Sequence, residues 1–293
     1  MQINPWYLKK MAKNKVPFEP EWFGGSCADY FRKIRPNVDS LPWGTLDYSQ
    51  MPPNLVLKAR MSWTEAAYNE YCTAVAFAQL VRALLEINAP IDMVAMASDF
   101  LADEMLHVEM TARLAQDLGG GADYQVDFEN LYLPLNENIN AFQKANELII
   151  RLCCVGEAFS LPMLSGRYQN SIHPLTKQIL KQIVIDEAHH GKLGFLYLEW
   201  AEDRLDDDEK HRLAKCAIAT LRQLSPLWKR LKSQNHNGFT TEGFKTTDIQ
   251  TLGWMFSQDY QRTAKETVIS EIATPLAQFG IILPQHDLDD LIN

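Results

Sequence analysis

The sequence predicts an all-α protein built on a four-helix bundle with one long crossover. Helical apolar periodicity recurs in two pairs of long segments, each pair joined by a short turn. A stretch over residues 119–137 with no convincing helical period separates the pairs. No strong strand signal, low-complexity tract or internal repeat beyond the helix pairs competes with this reading. Helix pair, long crossover, helix pair is the order of a bundle with a single crossover.

The whole chain, 1–293, is expected to form one domain. Residues 1–61 read as an irregular arm, because Pro5, Pro17, Pro20, Pro36, Pro42, Pro52 and Pro53 prevent a long helix. The arm is aromatic at Trp6, Tyr7, Phe18, Trp22, Phe23, Tyr30, Phe31, Trp43 and Tyr48, which argues against a disordered tail. It is expected to pack across the bundle; the sharper alternative is a lid over a substrate pocket. The bundle spans 62–204. Its first helix is expected from Ser62, where Ser62-Trp63-Thr64-Glu65 fits a capping box, to about Ile87. Asn88-Ala89-Pro90 turns the chain into a second helix that reaches Leu118 and stops at Gly119-Gly120-Gly121. The third helix is expected from Asn138 to Ser165, with a kink near Pro162, and the fourth from Pro174 to Arg204. Residues 205–293 add a fifth helix from Asp206 to about Ser233, a loop at 233–238, and two further helices.

A net charge of −9 and a pI near 5.3 argue against nucleic acid as a partner. The five cysteines lack a metal-binding C-x-x-C and read as reduced thiols. The start, Met1 to Trp6, lacks a signal-peptide layout, and the most apolar run, Leu148 to Leu164, is broken by Arg151 and Glu157. The expectation is a cytoplasmic protein with no membrane partner.

Two copies of Asp-Glu-x-x-His carry the chemistry: Asp103-Glu104-Met105-Leu106-His107 and Asp186-Glu187-Ala188-His189-His190. Residues three apart share a helix face, so Glu104 with His107, and Glu187 with His190, can each bind an ion. Composition alone yields about 0.4 copies of Glu-x-x-His per chain, so one copy is weak evidence and two on matching helices are strong. The other two helices should each add a carboxylate. Glu70 lies about level with Glu104 across the antiparallel turn, whereas Glu65 is assigned to the capping box. On the third helix, Glu157 sits in an apolar run and needs a partner. Glu147, about 15 Å earlier along the axis, reads as solvated.

The set Glu70, Glu104, His107, Glu157, Glu187 and His190 resembles that of the ferritin-like diiron carboxylate superfamily, over roughly residues 62–204. Four carboxylates and two neutral imidazoles balance two divalent cations, with iron preferred for redox chemistry and a manganese–iron pair not separated from it. The resemblance implies that Asp103 reaches His190, that Asp186 reaches His107, and that O2 is a co-substrate. His189 stays open: Asp186-x-x-His189 is an alternative ligand pair, and otherwise it stands behind the ligands or at the surface. No subfamily matches cleanly. Thr111 stands where reductase small subunits carry a radical tyrosine, Leu161 where bacterial hydroxylases place threonine, and Ile183 where arylamine N-oxygenases add a third histidine. No four-cysteine rubredoxin module is present, and the chain is longer than the usual ferritins.

Ala66, Ala67, Ala74, Ala76 and Ala78, with Gly191 and Gly194, permit either a cavity or close helix packing. A cavity would be apolar through Phe77, Leu101, Leu161 and Leu164. The expected function is an O2-activating diiron oxidase or oxygenase with a small-molecule substrate and an electron-donor protein or reductant; homodimer formation is left open. The alternatives are a ferroxidase and a non-catalytic helical interaction protein.

Overall fold

The structure, a computed structural model, describes residues 15–122, 124–128 and 131–293. Pro5, Trp6 and Tyr7 of the arm, and the start of the chain read for a signal peptide, lie outside them. So do residues 123, 129 and 130 of the crossover.

The described part of the arm holds β1 (Val16–Pro17), α1 (Gly25–Ile34) and a 3-10 turn at Val38–Ser40. It runs along the second bundle helix, α3 (Ile91–Asp117). Arg32 Nη1 donates to Glu109 at 2.8 Å, Arg113 Nη1 to Asp39 at 2.7 Å, and the Gly44 amide to Asp117 at 2.9 Å.

The first bundle helix, α2 (Pro53–Glu86), begins nine residues before the expected Ser62. Pro53 occupies its first turn, where no amide hydrogen is needed. The apolar stripe already runs through Leu55, Ala59 and Trp63, all buried. Burial at i, i+4 and i+8 therefore extends the helix through Ser62-x-x-Glu65, and no capping box forms there. Asn88, at φ 52, makes the tight turn into α3.

The crossover contributes β2 (Gln125–Val126), which pairs antiparallel with β1. The third bundle helix then runs without a break from Ala141 to Asn170. It comprises α4 (Ala141–Leu148), a π-helical stretch at Ile149–Glu157, and α5 (Ala158–Asn170). A reciprocal capping box joins Asn140 and Gln143 at its start. Pro162 lies inside the helix, which continues to Asn170 rather than ending at Ser165. By length and composition this helix could cross a membrane, contrary to the sequence expectation. However, 72% of its apolar window is buried inside the protein. Arg151, the cation within it, is satisfied by the Pro134 carbonyl at 2.6 Å and by Glu147 at 3.2 Å. Its apolarity is that of a core helix.

The fourth bundle helix is α6 (Pro174–Ala201), followed by a 3-10 turn at Glu202–Arg204. Asp206 caps α7 (Asp207–Leu224) by accepting from the Glu209 amide at 2.8 Å. Helix α7 stops before Pro226, which opens the short α8 (Pro226–Lys229), so the expected run to Ser233 is not continuous. Residues 233–238 were expected as a loop. Instead β3 (Asn235–His236) and β4 (Phe239–Thr240) form a hairpin over Asn237-Gly238, both at positive φ. Asn-Gly is the pair that a two-residue hairpin turn favours. Then follow α9 (Thr246–Thr251), α10 (Ser257–Thr267), a π-helical stretch at Val268–Ala273, α11 (Thr274–Gln278) and α12 (Gln285–Ile292).

The two largest of three apolar clusters make most of the core. One joins Phe77, Leu148 and Leu193 to Trp228, Val268 and Leu291 of the C-terminal helices. The other gathers Leu55, Trp63, Leu106, Leu175 and Leu252. Along α2, Trp63 belongs to one cluster and Phe77 to the other. Glu70 falls midway between them, and the polar site occupies the gap.

Candidate metal centre

Each bundle helix delivers its polar residues to that gap. Glu70 comes from α2, Glu104 and His107 from α3, Glu157 from the end of the π-helical stretch, and Glu187 and His190 from α6. They form two groups whose ligating atoms lie within 4.8 Å of one another: Glu70, Glu104, His107, Glu187; and Glu104, Glu157, Glu187, His190. Glu104 and Glu187 belong to both. Glu104 approaches His107 Nδ1 at 3.8 Å and His190 Nδ1 at 3.1 Å. Glu187 approaches the same atoms at 3.4 and 3.3 Å. Each Glu-x-x-His pair falls within one group, and Glu104 and Glu187 each belong to the other group as well. Glu70 and His107 face one position, Glu157 and His190 the other, and Glu104 and Glu187 are shared.

The donor set fits cations. Both oxygens of Glu104, Glu187 Oε2, His107 Nδ1 and His190 Nδ1 are buried and make no hydrogen bond. Unpartnered buried polar atoms are costly, and these all face one small volume. Oxygen and imidazole donors with no thiolate suit iron or manganese. The protonation pattern points the same way. Burial, reinforced by Glu104, pushes the Glu70 carboxyl well above the usual range. Burial, reinforced by Glu187, does the same to Glu157. Burial opposes charge on His107, but Asp186, Glu104 and Glu187 outweigh it and raise its pKa. Burial likewise opposes charge on His190, but Asp103, Glu104 and Glu187 push it up to about 12. Burial also opposes charge on Glu187, but both imidazoles hold its pKa below the usual carboxylate range. Protons thus supply the positive charge that bound cations would supply.

Asp186 Oδ2 accepts from His107 Nε2 at 3.2 Å, and Asp103 Oδ2 from His190 Nε2 at 3.4 Å. These contacts leave each Nδ1 facing the carboxylates. Gln182, one turn before Asp186, donates to it at 2.9 Å. Arg35 Nε, from the arm, lies 2.8 Å from Asp103 Oδ1. His189 is exposed and belongs to neither group, so the Asp186-x-x-His189 pair does not form. Glu147 is not simply solvated: it pairs with Arg151 and Arg212, each at 3.2 Å.

A cavity of about 310 Å³ opens onto Glu70, Glu157 and Glu187. Ala66, Ala76, Phe159, Met163 and Leu164 supply much of its apolar wall. Of the four apolar residues expected there, only Leu164 lines it. Phe77 is fully buried behind His190, with ring centroids 5.3 Å apart, because α2 turns that face inward. Leu101 packs against the core, and Leu161 lies off the cavity face of α5. Among the alanines, Ala66 and Ala76 border the cavity and Ala78 is exposed. Of the two glycines, Gly194 serves close packing, because a Cβ there would lie 2.6 Å from Cys154 Sγ, whereas Gly191 has room for one. No residue of 15–52 lines the cavity, so the described arm packs on α3 and does not act as a lid.

Sequence reasoning missed Gln182, Arg35, Glu65, Arg167 and Tyr260. Gln182 was within reach, four residues from Asp186 on one helix face. Arg167 continues the stripe Glu157, Ser160, Leu164 at helical spacing and was also legible. Glu65, freed of the capping role, lines the cavity, and burial pushes its carboxyl up to about 7. Arg35 and Tyr260 arrive from distant segments without a local signal.

No protein-family model matches the sequence, and no curated protein matches it. Among solved structures, the chain is similar in fold to "Protein 19 with aldehyde deformylating oxidase activity" from Synechococcus. The TM-score is 0.55 at 15% sequence identity, covering 84% of this chain and 99% of that one. The likeness places the fold among ferritin-like helical bundles.

Proposed function

We propose that this protein is an O2-activating diiron oxidase or oxygenase acting on a small or medium organic substrate. The observation that carries the reading is a cavity of about 310 Å³ that meets three of the six ligand candidates. That volume falls in the range of small-molecule sites. The oxidase activity named for the structural neighbour supports the reaction class; its aldehyde substrate is not carried over.

Two bound irons would supply the redox chemistry with O2. The chain's own residues do the rest. Glu70 with His107, and Glu157 with His190, would each hold one ion, while Glu104 and Glu187 would span both. Asp186 and Asp103 hold the imidazole Nε2 protons and so aim both Nδ1 atoms inward. Phe77 and Phe100 pack against the His190 ring, at centroid distances of 5.3 and 4.2 Å, and exclude water from that side. The alanines of α2 and the apolar residues of α5 give an organic substrate an approach to the ligands.

The test is anaerobic loading with Fe(II), followed by O2, with metal content, absorption spectrum and O2 uptake recorded against a panel of organic substrates. The expected result is about two irons per chain, a spectral change on adding O2, and uptake that depends on one class of substrate. No metal retention and no response to O2 would remove the proposal. Oxidation of many irons per chain without organic substrate would replace it with a ferroxidase. Unchanged behaviour of Glu104→Ala and Glu187→Ala would replace it with an interaction protein.

A further inference from the structure

One wall of the cavity carries an arginine that has no carboxylate within ion-pair distance among the described residues. Arg167 lies on α5, ten residues after Glu157, about 15 Å along the helix axis. Glu70, which lines the same cavity, attracts the guanidinium electrostatically. Its Nε donates to the Gly253 carbonyl at 3.1 Å, and the guanidinium stacks over Trp63 at 4.6 Å. These contacts orient the guanidinium and leave its terminal nitrogens without a hydrogen bond or ion pair to any described residue. The other arginine on the cavity, Arg151, is already engaged by Pro134 and Glu147. Arg32, Arg35, Arg113 and Arg212 each have a carboxylate within ion-pair distance. Burial lowers Arg167 to about 10, which means its charge is held at a cost in free energy. A part-buried guanidinium on a cavity wall, with no described carboxylate within ion-pair distance, is suited to an incoming anion.

Tyr260, on α10, lines the same cavity and is electrostatically coupled to Arg167. Its hydroxyl makes no hydrogen bond to a described residue, and burial pushes it up to about 12, so it remains a donor. Glu65 borders the cavity too, without forming an ion pair with Arg167.

We infer that the cavity takes an organic substrate bearing a carboxylate, held by the Arg167 guanidinium and the Tyr260 hydroxyl. Its carbon skeleton would run past Leu164 and Met163 towards Glu157 and Glu70. The inference rests on the oxidase reading for the reaction but not for binding. A planar guanidinium can accept a carboxylate through two parallel hydrogen bonds, which an alcohol or an amine cannot reproduce. The oxidised carbon would lie several bonds from the carboxylate, because Arg167 and the ligands occupy different turns of the helix.

The experiment is calorimetric titration of the full-length protein with octanoate, 1-octanol and octylamine, both metal-loaded and after chelator treatment. Octanoate should bind both forms, about tenfold or more tighter than the alcohol or the amine. Arg167→Met should weaken octanoate about 10–100-fold with metal content unchanged, and Arg167→Lys should recover part of the loss. Tyr260→Phe should weaken it only a few-fold, roughly one neutral hydrogen bond. If Arg167→Met does not fold, Tyr260→Phe and the comparison of ligands on the natural protein decide. Octanoate binding that vanishes with chelation and ignores Arg167 would place the carboxylate on the metals and overturn the inference. Equal binding of octanoate and 1-octanol would also overturn it. Arg167-dependent binding in a protein inert to Fe(II) and O2 would keep this inference and remove the oxidase reading. Active O2 chemistry without Arg167-dependent binding would do the reverse.

Discussion

Behind His107 the support is local. Its Nε2 proton meets Asp186, and Asp186 is held by Gln182 from the preceding turn of the same helix. Behind His190 the support leaves the bundle. Its Nε2 proton meets Asp103, and Asp103 lies against Arg35, brought in by the N-terminal arm. Arg35 also reaches Asp99, at 2.8 Å from its carboxylate, so it clamps one face of α3. The aromatic packing differs as well: Phe77 and Phe100 pack on the His190 ring. Two nearly equivalent ligand groups therefore stand on unlike foundations, one a neutral amide within a helix and the other a cation from a distant segment. A carboxylate facing a guanidinium has less negative charge to share with its imidazole than one facing an amide, so the two positions need not bind their ions equally.

The largest effects should erase the comparison altogether. Glu104→Ala and Glu187→Ala each remove a carboxylate that both positions share, and should lower metal content from about two ions per chain towards none. Glu70→Ala and Glu157→Ala remove a carboxylate from one position only and should leave about one ion. Elemental analysis separates the two outcomes, and equal losses from all four variants would refute the sharing.

The next effect divides the halves. Arg35→Ala should weaken the ion beside His190 by about 10–100-fold, because it strips the partner from an aspartate behind a ligand. Gln182→Ala should act on the other half, and by less, since it removes neutral hydrogen bonds. Competition titrations with a chromophoric chelator would show whether the two variants affect different binding steps.

Packing behind His190 gives a smaller effect. Gly194→Ala would press a methyl group against Cys154 Sγ and Cys153 Cβ, at 2.6 and 2.9 Å, and should cost about 1–3 kcal/mol in denaturant melts. Gly191→Ala meets Ala158 only at 3.7 Å, and should be neutral or slightly stabilising through helix propensity.

A pH-dependent effect lies on the cavity side and leaves both halves intact. Glu65 titrates near 7 in the folded protein against an ordinary 4.5, because burial disfavours its charge. Between those values the folded state keeps a proton that the unfolded chain has released, so this group's effect on stability becomes increasingly unfavourable as pH rises towards 7. Glu65→Gln should melt with the natural protein near pH 4.5 and above it near pH 8. Coincident melting at both pH values would contradict the burial of this carboxyl.

Much of the site was legible because its rules are local. Glu-x-x-His places two donors on one helix face, and Glu157 in an apolar run announces a buried charge in need of partners. Glu70 followed from counting residues back across an antiparallel turn. The start of α2 was misread because Ser62-x-x-Glu65 satisfies a local rule. The continuing apolar stripe through Leu55 and Ala59 overrode it, since burying those side chains outweighs a cap. His189 and Glu147 needed the rotation of their helices to be placed. The cavity wall was misassigned for the same reason: a rotation of a few tens of degrees decides whether Phe77 faces a void or a histidine ring.

The sequence by itself determined the helical bundle, its single crossover and the six residues that converge within it, because periodicity and i, i+3 spacing are properties of a single helix. Only the tertiary structure decided which carboxylates face both positions, that the arm's Arg35 stands behind one half, and that Arg167 and Tyr260 meet in the cavity. Those facts depend on how separate helices rotate and slide against one another. The packing of whole faces sets that arrangement, and no short stretch of sequence encodes it.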